Sequence, residues 1–334
     1  MKKLVAISAI TCLVLFIFIF VEVFLFLTSV PSHEKLEKVI SIERGSSFLK
    51  VAKQLKKEGV ITHEIKFYLL AKWEENVSKI KAGEYLLYTN LKPGEVLDAL
   101  VSGRTYLHKL TIPEGYNIFQ VAEEAQSLSL VLKEEFLAIA RDPSFIASLN
   151  IVGSSIEGYL FPESYYFSKP VTPQKIIETM VSKFNENYTE EIVFRAQKVG
   201  LTKEQVVVLA SMIEKETGVP WERHLISAVF HNRLKKGIKF QSDPTVIYGI
   251  FETFRGNLTK KDLLTPTLYN TYVKEGFPIG PIANPGKASL EAAVTPAPVD
   301  YLYFVSKNDG SHIFSRTYRE HINAVNLYQK QKSP

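Results

Sequence analysis

The chain has one cysteine, three methionines and two tryptophans in 334 residues. A single cysteine excludes any disulfide within the chain and any multi-cysteine metal site, so packing must hold the fold. Glycine and proline, at 17 and 16, are too few for collagenous or low-complexity character. Familiar catalytic signatures are missing as well. The histidines at 224, 231, 312 and 321 lack the HExxH spacing of a metalloprotease and read as hydrogen-bonded structural residues, and no G-x-S-x-G elbow for a serine nucleophile occurs. No metal and no cofactor is implied. A strong charge of one sign is also absent: 40 Lys and Arg against 35 Asp and Glu leave +5, spread along the chain. Nucleic-acid binders cluster their basic residues, so no DNA or RNA partner is expected. What the chain does have is 46% hydrophobic residues, enough to build two or three domains of ~100–200 residues each.

Charge is absent from Leu4 to Val21, and the apolar run resumes from Val23 to Leu27 after Glu22. At ~1.5 Å per residue this stretch crosses a ~30 Å hydrocarbon core. Lys2 and Lys3 precede it, which places the short N-terminus in the cytoplasm and everything after Pro31 on the far side. A cleavable signal peptide is the competing reading. Its apolar core would run only ~7–15 residues, and Leu27-Thr28-Ser29-Val30-Pro31 is a poor match to a small-x-small exit. Cys12 reads as an apolar filler within the span, and Glu22 sits near the outer interface.

Beyond the stalk at Ser32–Glu37, strand-like segments alternate with amphipathic helices. Val39–Ile42 leads into Arg44-Gly45-Ser46-Ser47, a turn and N-cap, and a helix with Phe48, Val51, Ala52 and Leu55 at helical spacing until Gly59. Tyr85–Tyr88 precedes a helix through Val96, Leu97 and Leu100, and Leu107–Ile112 precedes one through Ile118, Val121 and Ala122. The cadence resembles the LysM fold, a peptidoglycan-binding module; an ordinary α+β packing domain has the same pattern. A long helix is expected from Leu130 to about Ile146, with a domain boundary near Ile151. The second half reads as helices from Pro173 to Lys236, loops, a strand at Tyr301–Val305 and a helix after Thr317. The fold class is therefore α+β: an N-terminal transmembrane helix (1–30), a LysM-like α+β region (38–150) and an α+β catalytic domain (151–334).

Thr202-Lys203-Glu204-Gln205 has capping-box spacing and opens a helix to about Thr217, stopped by Gly218 and Pro220. At ~100° per residue, Val206, Leu209, Met212 and Ile213 share a face that ends in Glu216, whereas Glu214 points roughly 160° away. A carboxyl group in apolar surroundings has its charged form disfavoured, which suits it to donate a proton near neutral pH. Pairing of Glu216 with Arg223 or Arg233 is the structural alternative. Downstream, Gln241-Ser242-Asp243-Pro244-Thr245, Asn270-Thr271-Tyr272 and Gly276–Gly286 supply amides, hydroxyls and an aromatic ring in rigid loops. Such loops around one raised-pKa acid are what a carbohydrate cleft needs.

Ser211–Thr217, Asn232-Arg233-Leu234, Gln241–Thr245 with Tyr248, Tyr269–Tyr272, Gly280–Gly286, His312 and Glu320-His321 recur in order behind the anchor. In this the sequence closely resembles the endolytic murein transglycosylase family, membrane-anchored enzymes of bacterial cell-wall synthesis. Ile279, in Gly276-Phe277-Pro278-Ile279, departs from the family's expected proline, as Phe277 does from its leucine. The resemblance implies that Glu216, followed by Thr217, is the catalytic acid. It implies cleavage of glycan strands between N-acetylmuramic acid and N-acetylglucosamine, giving 1,6-anhydromuramic ends and terminating strand elongation. Gln241, Asp243, Thr245, Tyr248, Asn270, Tyr272 and Asn284 are the expected substrate-binding residues. The implied setting is the bacterial cytoplasmic membrane, crossed once with the catalytic domain outside, beside peptidoglycan synthases of the penicillin-binding class. The absence of a second carboxylate on the apolar face fits a reaction in which the muramic C6 hydroxyl replaces water, since ordinary glycoside hydrolysis uses two. A non-catalytic peptidoglycan-binding scaffold for synthases is the rival function, and a cytoplasmic pyridoxal-phosphate lyase a third that the anchor argues against.

Overall fold

The computed structural model describes the backbone of residues 2–330 and the side chains of residues 7–329; Met1 and the side chains of Lys2 and Lys3 lie outside the described residues. Helices and strands are mixed along the chain, which divides into two units: residues 1–109 with 166–170, and residues 110–165 with 171–334.

The first unit begins with α1 (Lys2–Thr28), whose segment Ile7–Thr28 is long and apolar enough to cross a membrane. There follow β1 (Glu37–Ile42), α2 (Phe48–Lys57), α3 (Glu64–Trp73), β2 (Gly83–Tyr88) and α4 (Pro93–Ser102). β1 and β2 pair antiparallel from Glu37↔Tyr88 to Ile42↔Gly83. Period-two alternation sends Ile40, Ile42, Tyr85 and Leu87 inward to meet Phe48, Val51, Leu55, Phe67, Val96, Leu97 and Leu100. Ser47 caps α2 by accepting from the Lys50 amide at 3.3 Å, as the sequence predicts. Gly83 is required as glycine: with φ +147°, an added Cβ would lie 2.5 Å from the Thr105 methyl.

The strands β3 (His108–Thr111) and β4 (Ser164–Phe167) pair, and the unit boundary falls within both. In the second unit α5 (Ile118–Ser127), α6 (Lys133–Ala140) and α7 (Pro143–Ser148) come before β4. The long helix expected from Leu130 to Ile146 is broken between α6 and α7. Pro143 cannot continue α6, and Asp142 takes the role of N-cap, accepting from the Phe145 amide at 2.7 Å. Ile151 lies inside this second unit.

After β4 come α8 (Pro173–Asn187), α9 (Glu190–Val199), α10 (Lys203–Glu216), α11 (Arg223–Lys235), α12 (Asp243–Gly249), α13 (Lys260–Leu264) and α14 (Lys287–Val294). An antiparallel pair, β5 (Tyr303–Ser306) and β6 (His312–Ser315), and α15 (Tyr318–Val325) complete the unit. α10 is its axis. Thr202 and Gln205 form the predicted capping box, and every residue from Val206 to Ile213 is buried among α9, α11, α12 and α14. A helix buried all round is fixed by packing, and this aims its C-terminal turn.

Candidate active site

That last turn carries Glu216 to the wall of a cavity of about 430 Å³, bordered by the α12 N-terminus, Tyr272, β5, His312 and α15. Ser242 Oγ donates to Glu216 Oε1 at 2.5 Å. Burial is the main cause that pushes the Glu216 carboxyl up to about 7; the negative charge of Asp243 adds to it, while the Ser242 hydrogen bond and the Arg233 charge oppose it. Glu214 faces elsewhere, as the helical wheel predicts: it accepts from the Gly286 amide at 2.9 Å and stands 3.8 Å from Arg223. Among the described residues no cation forms an ion pair with Glu216 within 4.0 Å. Arg223 is turned to Glu214 and Glu114 instead.

Arg233 lines the same cavity but spends its donors on backbone. Nε donates to the Leu302 carbonyl at 2.7 Å and Nη1 to that of Phe240 at 2.6 Å, and the guanidinium sits 5.2 Å over the Tyr303 ring. It thus ties the end of α11 to the loop before α12 and to β5, and leaves its charge directed at the cavity.

Of the residues expected to bind substrate, Gln241, Asp243 and Tyr272 line this cavity with Glu216. Tyr272 Oη donates to Asp243 Oδ1 at 2.5 Å. Gln241 has φ +51°, a conformation few side-chain-bearing residues adopt, and its amide donates to Thr271 O. Thr245, Asn270 and Asn284 are fully buried and do not reach the cavity. Thr245 stands directly behind Ser242: its Oγ1 donates to the Ser242 carbonyl at 2.6 Å and contacts Thr271 Oγ1 at 2.8 Å. Asn270 closes the end of α13 by donating to Leu263 O and Thr265 O, and its Oδ1 accepts from the Tyr272 amide at 2.8 Å.

Tyr248 and Asn284 belong to a different cluster, around Glu157. Glu157 is fully buried, and burial pushes its carboxyl up to about 7 against the opposing hydrogen bonds of Ile118, Tyr248 and Gly158 and the charge of Arg141. Tyr248 Oη donates to it at 2.8 Å, Ile118 N at 3.0 Å and Asn284 Nδ2 at 3.2 Å. Asn284 Oδ1 in turn accepts from Gly158 N and Leu160 N, both at 2.9 Å. The only hint of this in the sequence is a lone acid within the apolar and aromatic run Ile156–Phe161.

A further polar chain runs from the residue after Glu216. Val219 N donates to Thr217 Oγ1, which donates to Glu222 Oε2; that carboxylate holds His312 through its backbone amide at 2.8 Å and through Nδ1 at 2.7 Å. His312 therefore presents its ring edge to the cavity from a fixed orientation. No group of three or more His, Cys, Asp or Glu side chains is gathered to hold a metal ion among the described residues.

The profile of the YceG-like family matches residues 40–327. The chain belongs to the YceG-like family. Similar to it is the endolytic murein transglycosylase of Bacillus subtilis (strain 168), 34% identical over 323 residues, which are 92% of this chain and 89% of that protein. The endolytic murein transglycosylase of Streptococcus pneumoniae serotype 2 is 28% identical over 326 residues, 88% of this chain, and this chain spans 59% of the pneumococcal protein's length. In structure, this YceG-like chain is similar to a YceG-like protein of Listeria monocytogenes at a TM-score of 0.60 and 32% identity, covering 87% of this chain and 99% of that one. The match from Ile40 to Leu327 includes β2 and Glu216 and leaves α1 outside it.

Proposed function

We propose that this YceG-like chain is an endolytic murein transglycosylase with Glu216 as its general acid and base. The observation that carries the reading is the placement of Glu216: a carboxyl pushed up to about 7, holding one hydrogen bond and opening on a cavity lined by Gln241, Asp243, Arg233 and Tyr272. Near neutral pH such a group is present in both protonation states, as proton donation followed by proton removal requires.

Protonated Glu216 gives its proton to the glycosidic oxygen between N-acetylmuramic acid and N-acetylglucosamine as the C1–O bond breaks. The resulting carboxylate then takes the proton of the muramic C6 hydroxyl while that oxygen bonds to C1. The product is a 1,6-anhydromuramic end; no water is consumed and Glu216 is returned protonated. Asp243 offers its negative charge to the developing oxocarbenium ion, held in place by the Tyr272 hydroxyl. Gln241 and Tyr272 present amide and hydroxyl groups to the sugar. Thr245 and Asn270 act from behind, through Ser242 and Tyr272, and Tyr248 and Asn284 through the Glu157 cluster.

In the same reading residues 1–30 form a single-pass anchor in the bacterial cytoplasmic membrane, with the remainder outside. Residues 38–150 hold a LysM-like glycan-binding region and residues 151–334 the catalytic domain. The order β1–α2–α3–β2, two helices enclosed between paired strands, supports the LysM-like part, while residues 110–150 belong to the unit that holds Glu216. Cleavage of nascent strands beside membrane synthases would terminate their elongation.

The test is digestion of purified glycan strands followed by mass spectrometry. Ends 18 Da lighter than hydrolysed ones, as loss of water requires, support the transglycosylase, whereas hydrolysed reducing ends refute it. Glu216→Gln should lower the rate by ~10²–10⁴ and Glu214→Gln by only a few-fold. Equal loss in two folded variants overturns the assignment. Strand binding without shortening by the unaltered protein would leave only a tether.

A further inference from the structure

The first unit leaves a large apolar surface uncovered beside the anchor. On α3, Ile65, Leu69 and Trp73 recur every fourth residue, so they share one face, and they are 58%, 56% and 87% exposed. Their opposite number, Phe67, is fully buried in the core with Ala71, so the exposed stripe is not a packing surface within the unit. Singly exposed apolar residues need no account; a tryptophan and two aliphatic residues aligned over two helical turns do.

What lies next to that stripe is the apolar helix itself. α1 and α3 enclose a groove of about 520 Å³ whose walls include Phe18, Ile19 and Val23 from α1 and Leu69, Leu70 and Trp73 from α3. At its rim Lys66 Nζ bonds Glu22 Oε2 at 2.6 Å. Phe26 is 5% exposed and inserted into the core of the unit, so the end of α1 is gripped by the folded unit instead of being joined to it by a slack linker. Lys66 near the start of α3 meets Glu22, and Trp73 at its end meets the level of Phe18 and Ile19, so α3 runs back along α1 toward the bilayer.

We propose that the Ile65–Leu69–Trp73 face of α3 is immersed in the membrane interface alongside α1, with lipid as its occupant. The apolar surface of α3 is continuous with that of the span. The Glu22–Lys66 pair marks the depth at which charge meets water, and Trp73, about one helical turn deeper beside Phe18 and Ile19, reaches the boundary of headgroups and acyl chains. Lys66 and Lys72 flank the stripe; Lys66 is held by Glu22, and Lys72 extends its ammonium group toward lipid phosphates. The first unit is then a two-point foot, one spanning helix and one interfacial helix, that fixes its own tilt on the membrane. The inference rests on the reading of α1 as a membrane anchor.

The test uses the full chain reconstituted in vesicles of phosphatidylcholine and phosphatidylglycerol. Trp221→Phe leaves Trp73 as the sole tryptophan. With lipids brominated on the upper acyl chain, Trp73 emission should be roughly halved and its maximum shifted to the blue relative to the same variant in unbrominated vesicles and in detergent, respectively. Trp73→Phe leaves Trp221, whose emission should not change. A third variant, Phe18→Trp with both native tryptophans replaced by Phe, reports on α1. Quenching at position 18 without quenching at Trp73 overturns the inference and leaves the anchor intact, the result expected if a protein partner covers α3. Quenching at neither position overturns both.

Discussion

Glu216 and Glu157, both in the second unit, are alike in the property most often used to find catalytic acids. Burial pushes each carboxyl up to about 7. They differ in what their oxygens touch. Glu157 accepts from Ile118 N, Tyr248 Oη and Asn284 Nδ2, joining parts of the chain 39, 91 and 127 residues away. Glu216 accepts from Ser242 and otherwise faces a cavity. A perturbed carboxyl with both oxygens engaged by donors of the fold is a knot in the fold; one with an open oxygen beside a cavity can exchange a proton with a substrate. Open coordination, more than pKa, separates reagent from fastener.

The largest effect that could break this distinction is on turnover. Glu216→Gln should lose ~10²–10⁴ in glycan-cleaving rate, while Glu157→Gln, assayed below its unfolding temperature, should stay within about tenfold. Equal abolition in both folded proteins would mean that the Glu157 cluster takes part in the chemistry.

Stability should invert the order. A folded-state value of about 7 against an ordinary 4.5 means that the folded protein binds protons the unfolded chain releases. The stabilising contribution is whole below pH 4.5 and is lost as the pH rises through about 7, a swing of about 3 kcal/mol at Glu157. In Glu157→Gln an amide –NH₂ must face at least one of the three donors, which costs about 1–3 kcal/mol. The variant should therefore be less stable than the parent at pH 5, with the gap narrowing toward pH 8. Denaturant unfolding across that range measures it, and a gap independent of pH would show that Glu157 does not titrate in the folded state.

How far the site could be read from the sequence follows the same line between local and distant causes. The capping box at Thr202, the buried face of α10 and the opposed directions of Glu214 and Glu216 depend only on residues within a few turns, and all were legible. So were the N-cap at Ser47 and the stop at Gly59. Thr245, Asn270 and Asn284 have the residue types and loop positions that suit recognition of sugar hydroxyls. The structure uses them to satisfy backbone groups in loops that are themselves buried, and composition cannot separate the two uses. Glu157 was illegible for the opposite reason: none of its partners is nearby in sequence.

A smaller effect sharpens what sets the Glu216 proton. The Asp243 charge raises its pKa, and the Ser242 hydrogen bond lowers it. Cleavage needs protonated Glu216, so kcat/KM should fall as pH rises through about 7. Asp243→Asn should move that alkaline limb to lower pH, beyond any loss in rate, and Ser242→Ala should move it to higher pH. Shifts of the same sign in both variants would contradict the electrostatic account.

The smallest effect tests whether Thr245 acts only through Ser242. Thr245→Val keeps the shape but removes the donor to the Ser242 carbonyl and the contact with Thr271 Oγ1. The cost in stability should be about 1–3 kcal/mol, from buried groups left without partners. With Ser242 less firmly held, its bond to Glu216 weakens, and the alkaline limb should move in the same direction as in Ser242→Ala but less far. In the double variant Thr245→Val, Ser242→Ala the limb should lie where Ser242→Ala alone puts it, because the intermediary is gone. A further shift in the double variant, or a rise in KM with the limb unmoved, would make Thr245 a contact for the sugar despite its burial.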